Sequence, residues 1–138
     1  MSRDEVDSFL GTQWMCRLGT VQSDGRPHVS PLWFVWDGAA IWVYSIVRSQ
    51  RWRNIQRDGR VSVVVDVGEH PNELRGVEVD GMATSVGEAP RIEGQDASVA
   101  AAEQLFERKY GRFELDGKHA WLRIVPENVV SWDFRKLG

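Results

Sequence analysis

The sequence is poor in the residues that staple, chelate or span. It has one cysteine, Cys16, in 138 residues, so no internal disulfide can form and no thiolate zinc site can be built. Its three histidines, His28, His70 and His119, show no metal-ligand pairing, which removes the usual transition-metal centre. No apolar run approaches the roughly 20 residues of a membrane span. The opening Met1-Ser2-Arg3-Asp4-Glu5 has no signal-peptide pattern, and the expected location is the cytoplasm. Lys plus Arg is 17 against 20 Asp plus Glu, a net charge of -3, which removes the global electrostatic case for nucleic acid. No G-x-S-x-G, Walker A or G-x-G-x-x-G motif occurs, no internal repeat or linker interrupts the chain, and no residue can be named as catalytic.

The remaining composition is that of a globular protein, 42% hydrophobic and 27% charged, with seven tryptophans. The length suits one domain over residues 1–138, burying roughly 70% of the surface the unfolded chain exposes. Ser2 and Glu5 have capping-box spacing, so a helix is expected over Ser2–Phe9, stopped by Gly11. Strands are expected over Trp14–Gln22, Pro27–Trp36 and Ala40–Ile46, joined by Asp24-Gly25 and Asp37-Gly38 turns. Pro31 cannot donate to a ladder, so its strand lies at an edge or carries a bulge. A short arginine-rich helix follows over Arg48–Asp58 with Ser49 as its cap, then a β-branched strand, Arg60–Val67. After a polar loop at 68–74 comes a strand over Arg75–Gly87, with Gly76, Gly81 and Gly87 marking bends or bulges. A helix over Gln95–Tyr110 and two strands, Lys118–Val125 and Val129–Phe134, split by Pro126, close the chain. The fold class is α+β, mainly β: a six- to seven-stranded antiparallel barrel with two or three helices.

Two segments could carry chemistry. Between Ser45 and Arg53 two serines, three arginines and a helix N-terminus converge, which suits a phosphate; the alternative is a solvated basic face. Alternation in the strand Pro27–Trp36 puts His28, Ser30 and Leu32 on one face and Val29, Pro31 and Trp33 on the other, so it could wall a ligand cleft; the alternative is an ordinary barrel strand with Ser30 and His28 at solvent. Cys16 reads as a buried, inert thiol. The tryptophans mostly serve core packing or a subunit interface, with one or two free to stack on a flat ring.

The order Leu18-Gly19-Thr20-Val21, Asp24 to Phe34, Ile41 to Ser45, Ser49 to Ile55, Arg60 to Val63 and Val79 to Ala83 resembles the FMN-binding split-barrel superfamily, the pyridoxamine 5′-phosphate oxidase-like proteins, over most of residues 10–134. Within it the chain is similar to the deazaflavin-dependent reductases. The resemblance implies a homodimer of split barrels with cofactor sites at the subunit interface. It implies that His28, Ser30, Pro31 and Trp33 shape the ring pocket. Tyr44, Ser45, Arg48, Ser49, Gln50, Arg51 and Arg53 would then bind the phosphate and its tail, and Trp132 would reach the cofactor or the partner. The implied cofactor is deazaflavin coenzyme F-420, with FMN as the alternative. The implied activity is hydride transfer to a small organic substrate, against a non-catalytic carrier of flavin, deazaflavin or haem. Arg51 stands where family members often have lysine; it keeps the charge and gains a planar fork. The ending Trp132-Asp133-Phe134-Arg135-Lys136 lacks the oxidase's own signature, which argues against vitamin B6 oxidation.

Overall fold

The outermost strands of the sheet are neighbours in sequence, and this one fact dictates the shape. A computed structural model describes residues 1–137. Its seven strands are β1 (Met15–Val21), β2 (Pro27–Trp33), β3 (Val35–Trp36), β4 (Ile41–Ile46), β5 (Arg60–Val67), β6 (Arg75–Val86) and β7 (His119–Asp133). They pair in the order β2-β1-β5-β6-β7-β4-β3, and every pairing is antiparallel. Only Phe34 separates β2 at one edge from β3 at the other, so the sheet must curl until its edges meet. The fold class expected from the sequence, mainly β with helices between the strands, is the one found.

Three helices accompany the sheet. Helix α1 (Arg3–Thr12) starts at Ser2 with the expected capping box and buries Val6, Phe9 and Leu10 in the barrel core. It runs through Gly11 rather than stopping there, because the chain reaches extended backbone only at Gln13. Helix α2 (Gln50–Arg57) inserts Trp52 and Ile55 into the same core. Helix α3 (Ala97–Tyr110) covers a second cluster on the outer face, where Val99 and Ala102 meet Val35, Trp42 and Trp121. The inner face of the barrel carries Leu18, Val63, Val65, Val77, Val79, Leu122 and Ile124, all buried.

Besides Pro27, which opens β2, the strands contain Pro31 and Pro126, and these two are accommodated differently. The expected strand over 27–36 is two strands, broken at Phe34 where the chain passes between the edges. Pro31 lies in edge strand β2 in unbroken register with Arg17, so the edge rather than a bulge accommodates it. Pro126 does not end its strand: β7 runs unbroken through it. There Gly81 pairs with Pro126 and Asp80 with Asn128, leaving Glu127 as the extra residue of a bulge. A side chain on Gly81 would collide with the Val125 carbonyl, so the bulge requires glycine there.

The crossover at Phe34 is tied down from α3. The Tyr110 hydroxyl accepts from the Phe34 N–H at 3.0 Å, and its own proton is shared between the Phe34 and Trp14 carbonyls at 2.6 and 2.9 Å. Lys109 Nζ donates to the carbonyls of Phe34 (3.1 Å) and Leu10 (3.3 Å) and sits 3.9 Å above the centre of the Phe34 ring. Burial holds this ammonium down to about 8, against an ordinary 10.5. Between those values the unfolded chain binds more protons than the folded one, so this group makes stability rise with pH there. Buried Cys16 is pushed up from 9.0 to about 12 by desolvation and acts in the opposite sense above about pH 9. The urea midpoint is therefore expected to climb between pH 7.5 and 9 and to flatten beyond. Lys109→Met should abolish the climb, and a climb that survives in the variant would assign it to other groups.

Candidate functional site

Beyond Trp42 the short strand β3 no longer flanks β4, and the barrel wall there is a seam between β4 and β2. Helix α2 begins at this seam. Its cap, Ser49, accepts the Trp52 N–H at 3.2 Å and donates to the Ile46 carbonyl at 2.7 Å. The Ser45 and Ser49 hydroxyl oxygens are 3.3 Å apart. Arg51 turns back from the first turn: Nε donates to Ser45 Oγ at 3.0 Å and Nη1 to Ser30 Oγ at 3.3 Å. One guanidinium therefore spans the seam from β4 to β2.

The electrostatics of this corner are unbalanced. Arg51 is half-buried, and no carboxylate pairs with it among the described residues. Desolvation lowers its pKa from the ordinary arginine value, the mark of a cation held where charge is uncomfortable. Two of its five donor directions are used, and both go to neutral hydroxyls. Beside it lie the open N–H groups of a helix start. Such an arrangement favours an oxyanion that takes several hydrogen bonds at once, as a phosphate does.

The structure brings Ser30, Ser45, Ser49 and Arg51 together and places the other candidates elsewhere. His28 lies on the inward face of β2 two residues before Ser30, half-buried, with Nδ1 enclosed and without a hydrogen-bond partner. Pro31 and Trp33 occupy the opposite, outward face; Trp33 stacks on Tyr110 at 4.1 Å and 3°. The strand pleat separates them from Ser30, so this chain's corner does not include them. Tyr44 is likewise on the other side of β4 from Ser45, stacked on His119 and packed against Phe113 and Trp121. Burial pushes its hydroxyl up to about 12, with Asp116 and Glu103 adding to the effect. Gln50 accepts from Arg53 at 3.4 Å on the exposed side of α2 and donates inward to buried Asn54. Arg48 is exposed on the wall of a neighbouring cavity. Trp132 packs on Gly76 near the far end of β7 from His119, the β7 residue paired with Ile46, and does not reach this corner.

Sequence reading passed over Asn54, which is fully buried, donates to Thr20 Oγ1 at 3.0 Å and accepts from Gln50 at 2.8 Å. It fixes α2 onto β1 and so sets where Arg51 stands. Nothing in the sequence signalled its burial, because on the helix Asn54 lies off the apolar stripe of Trp52 and Ile55 and nearly opposite Trp52. Among the described residues no group of three or more His, Cys, Asp or Glu could hold a metal ion, and no helix is long and apolar enough to cross a membrane.

A curled antiparallel sheet whose seam is bridged by one half-buried arginine defines a split barrel. The family model described as pyridoxamine 5′-phosphate oxidase matches residues 2–133, and the chain belongs to that family. Among solved structures, a conserved hypothetical protein from Mycobacterium tuberculosis is similar at 31% identity and TM-score 0.83, covering 100% of this chain and 88% of that one. An F-420 reductase is similar at 25% identity and TM-score 0.66, covering 90% and 94%. The haem storage protein HutZ from Vibrio cholerae shares the fold at 19% identity and TM-score 0.73, covering 92% of each. No curated protein matches the chain.

Proposed function

We propose that this protein is an oxidoreductase that binds reduced deazaflavin coenzyme F-420 and directs its hydride to a small organic substrate. The carrying observation is Arg51, a half-buried cation facing only neutral hydroxyls at the seam. In this reading Arg51, Ser45, Ser49 and Ser30 hold the cofactor phosphate, and Arg48 meets its anionic tail. His28, half-buried on the same face of β2 as Ser30, flanks the heterocycle. When bound, the cofactor supplies the hydride; the chain's residues hold and orient it and keep water from the seam. Similarity to an F-420 reductase at 25% identity supports deazaflavin, while FMN would satisfy the same phosphate donors.

The working unit in this reading is a homodimer. The outer faces of β2, β6 and β7 leave Val29, Met82, Val125 and Val130 exposed, and apolar area of that kind is normally covered. Pro31, Trp33 and Trp132 would contribute from this face or across the dimer rather than within the corner.

Titrating the apo-protein with oxidised and reduced F-420, and separately with FMN, tests the proposal. Micromolar binding of the deazaflavin with turnover of an activated alkene or imine is the expected result. Binding of FMN alone would reassign the cofactor, tight binding without turnover would make the protein a carrier, and no binding of any of them would remove the redox reading. Sedimentation should give a dimer at working concentration.

A further inference from the structure

Beside the corner lies a cavity of about 380 Å³ that shares only Arg48 with the redox reading. Ile46, Val47, Arg48, Pro90, Gly117 and Lys118 line it. Its walls are apolar at Ile46, Val47 and Pro90, and its two charged groups are both cations. Neither Arg48 nor the Lys118 ammonium has an ion pair or side-chain hydrogen bond among the described residues. The nearby carboxylates are committed: Asp116 lies 2.5 Å from His119 Nδ1 and takes the Lys118 and His119 N–H groups, and Glu88 accepts the Ile92 N–H.

The three segments that make the cavity are fixed to one another. The Val47 N–H donates to the Lys118 carbonyl at 2.9 Å, and the Arg91 N–H to the His119 carbonyl at 2.7 Å. The Arg91 side chain, only 2% exposed, then anchors its loop to Glu103 through two hydrogen bonds of 2.9 and 3.0 Å. A cavity held in this way keeps its shape without a ligand, so binding costs little ordering. Apolar walls exclude a bare inorganic anion as the preferred occupant, and paired free cations exclude a neutral or cationic one.

We propose that this cavity binds a small amphipathic carboxylate, its apolar body against Ile46, Val47 and Pro90 and its carboxylate between Arg48 and Lys118. The inference shares Arg48 with the cofactor reading, while Lys118 and the apolar walls lie outside the residues assigned to the cofactor, so variants at Lys118 and Val47 separate the two. Isothermal titration of the apo-protein with decanoate, decylammonium and inorganic phosphate tests it. Decanoate should bind and decylammonium should not. Lys118→Ala should weaken decanoate about tenfold, the effect of one charge-assisted hydrogen bond. Lys118→Glu should abolish binding, and Val47→Trp should block it by filling the space. Arg51→Ala should leave it unchanged while removing phosphate binding at the corner. Equal binding of decanoate and decylammonium, or decanoate affinity that ignores Lys118→Ala and Val47→Trp yet falls with Arg51→Ala, would overturn the proposal.

Discussion

Replacing Arg51 by methionine is expected to raise the melting temperature of the ligand-free protein and at the same time to remove its response to phosphate-bearing cofactors. The apo-protein holds a desolvated cation opposite two neutral hydroxyls, which is poor compensation for taking a guanidinium partly out of water. Methionine fills a similar volume without that cost, and a gain of about 1 kcal/mol is the expected scale for relieving a strained functional group. For a chain of this size that is roughly 3 °C. Cofactor affinity should fall by roughly 10- to 100-fold, the range for losing charge-assisted hydrogen bonds to an anion. Arg51→Lys should recover much of the affinity but not the bridge to Ser30, because an ammonium lacks the fork that reaches both hydroxyls. Differential scanning calorimetry with and without saturating FMN or F-420 reads both effects. A variant that is less stable and still binds normally would show that Arg51 serves only to close the seam.

That opposition between stability and binding explains what the sequence could announce and what it could not. The arginine-rich helix start after β4 was legible because Ser49, Arg51 and the turn before them are local in the chain. The hairpins were legible for the same reason, through Asp24-Gly25 and Asp37-Gly38. Ser30 was legible as sharing a face with His28 and Leu32 in an alternating strand, and the pairing of Ser30 with buried Leu18 shows that face to be the inner one. Its meeting with Arg51, 21 positions later, depends on the curl of the whole sheet and leaves no periodic trace. The break at Phe34 was hidden because its cause is topological: the run PHVSPLWFVW reads as one strand, yet its halves belong to opposite edges. Pro126 misled in the other direction, since the bulge that absorbs it needs Gly81 on a strand about 45 residues earlier. Trp33 and Tyr44 were placed at the site by the family resemblance, and the strand pleat turns each to the opposite face from its serine neighbour in this chain.

Glu103→Ala should be the most destabilising single change outside the barrel interior. Glu103 is 16% exposed and accepts both Arg91 hydrogen bonds and a third from Trp121 Nε1 at 2.9 Å. Removing it strands the Arg91 guanidinium, almost without access to water, with only the Glu93 and Gly94 carbonyls as partners. It also orphans the indole N–H of a fully buried tryptophan. Breaking one side of a buried pair costs about 3–5 kcal/mol, which for this chain length is a drop of roughly 10 °C or more in melting temperature. Arg91→Met combined with Glu103→Leu should recover the part of that loss due to the stranded charge, because an apolar pair has no charge to leave behind, while the Trp121 indole N–H stays unpaired. The double variant separates stability from function. It restores packing of α3 on β7 but not the hydrogen bonds that hold the Glu93 and Gly94 carbonyls. The segment from Glu88 to Gly94 should then exchange its amide hydrogens faster while the barrel strands stay protected. If the cavity beside Pro90 depends on that anchor, decanoate binding should weaken in the refolded double variant even though its melting temperature has partly recovered. Unchanged affinity would show that the two backbone hydrogen bonds, from Val47 and from Arg91, suffice to shape it.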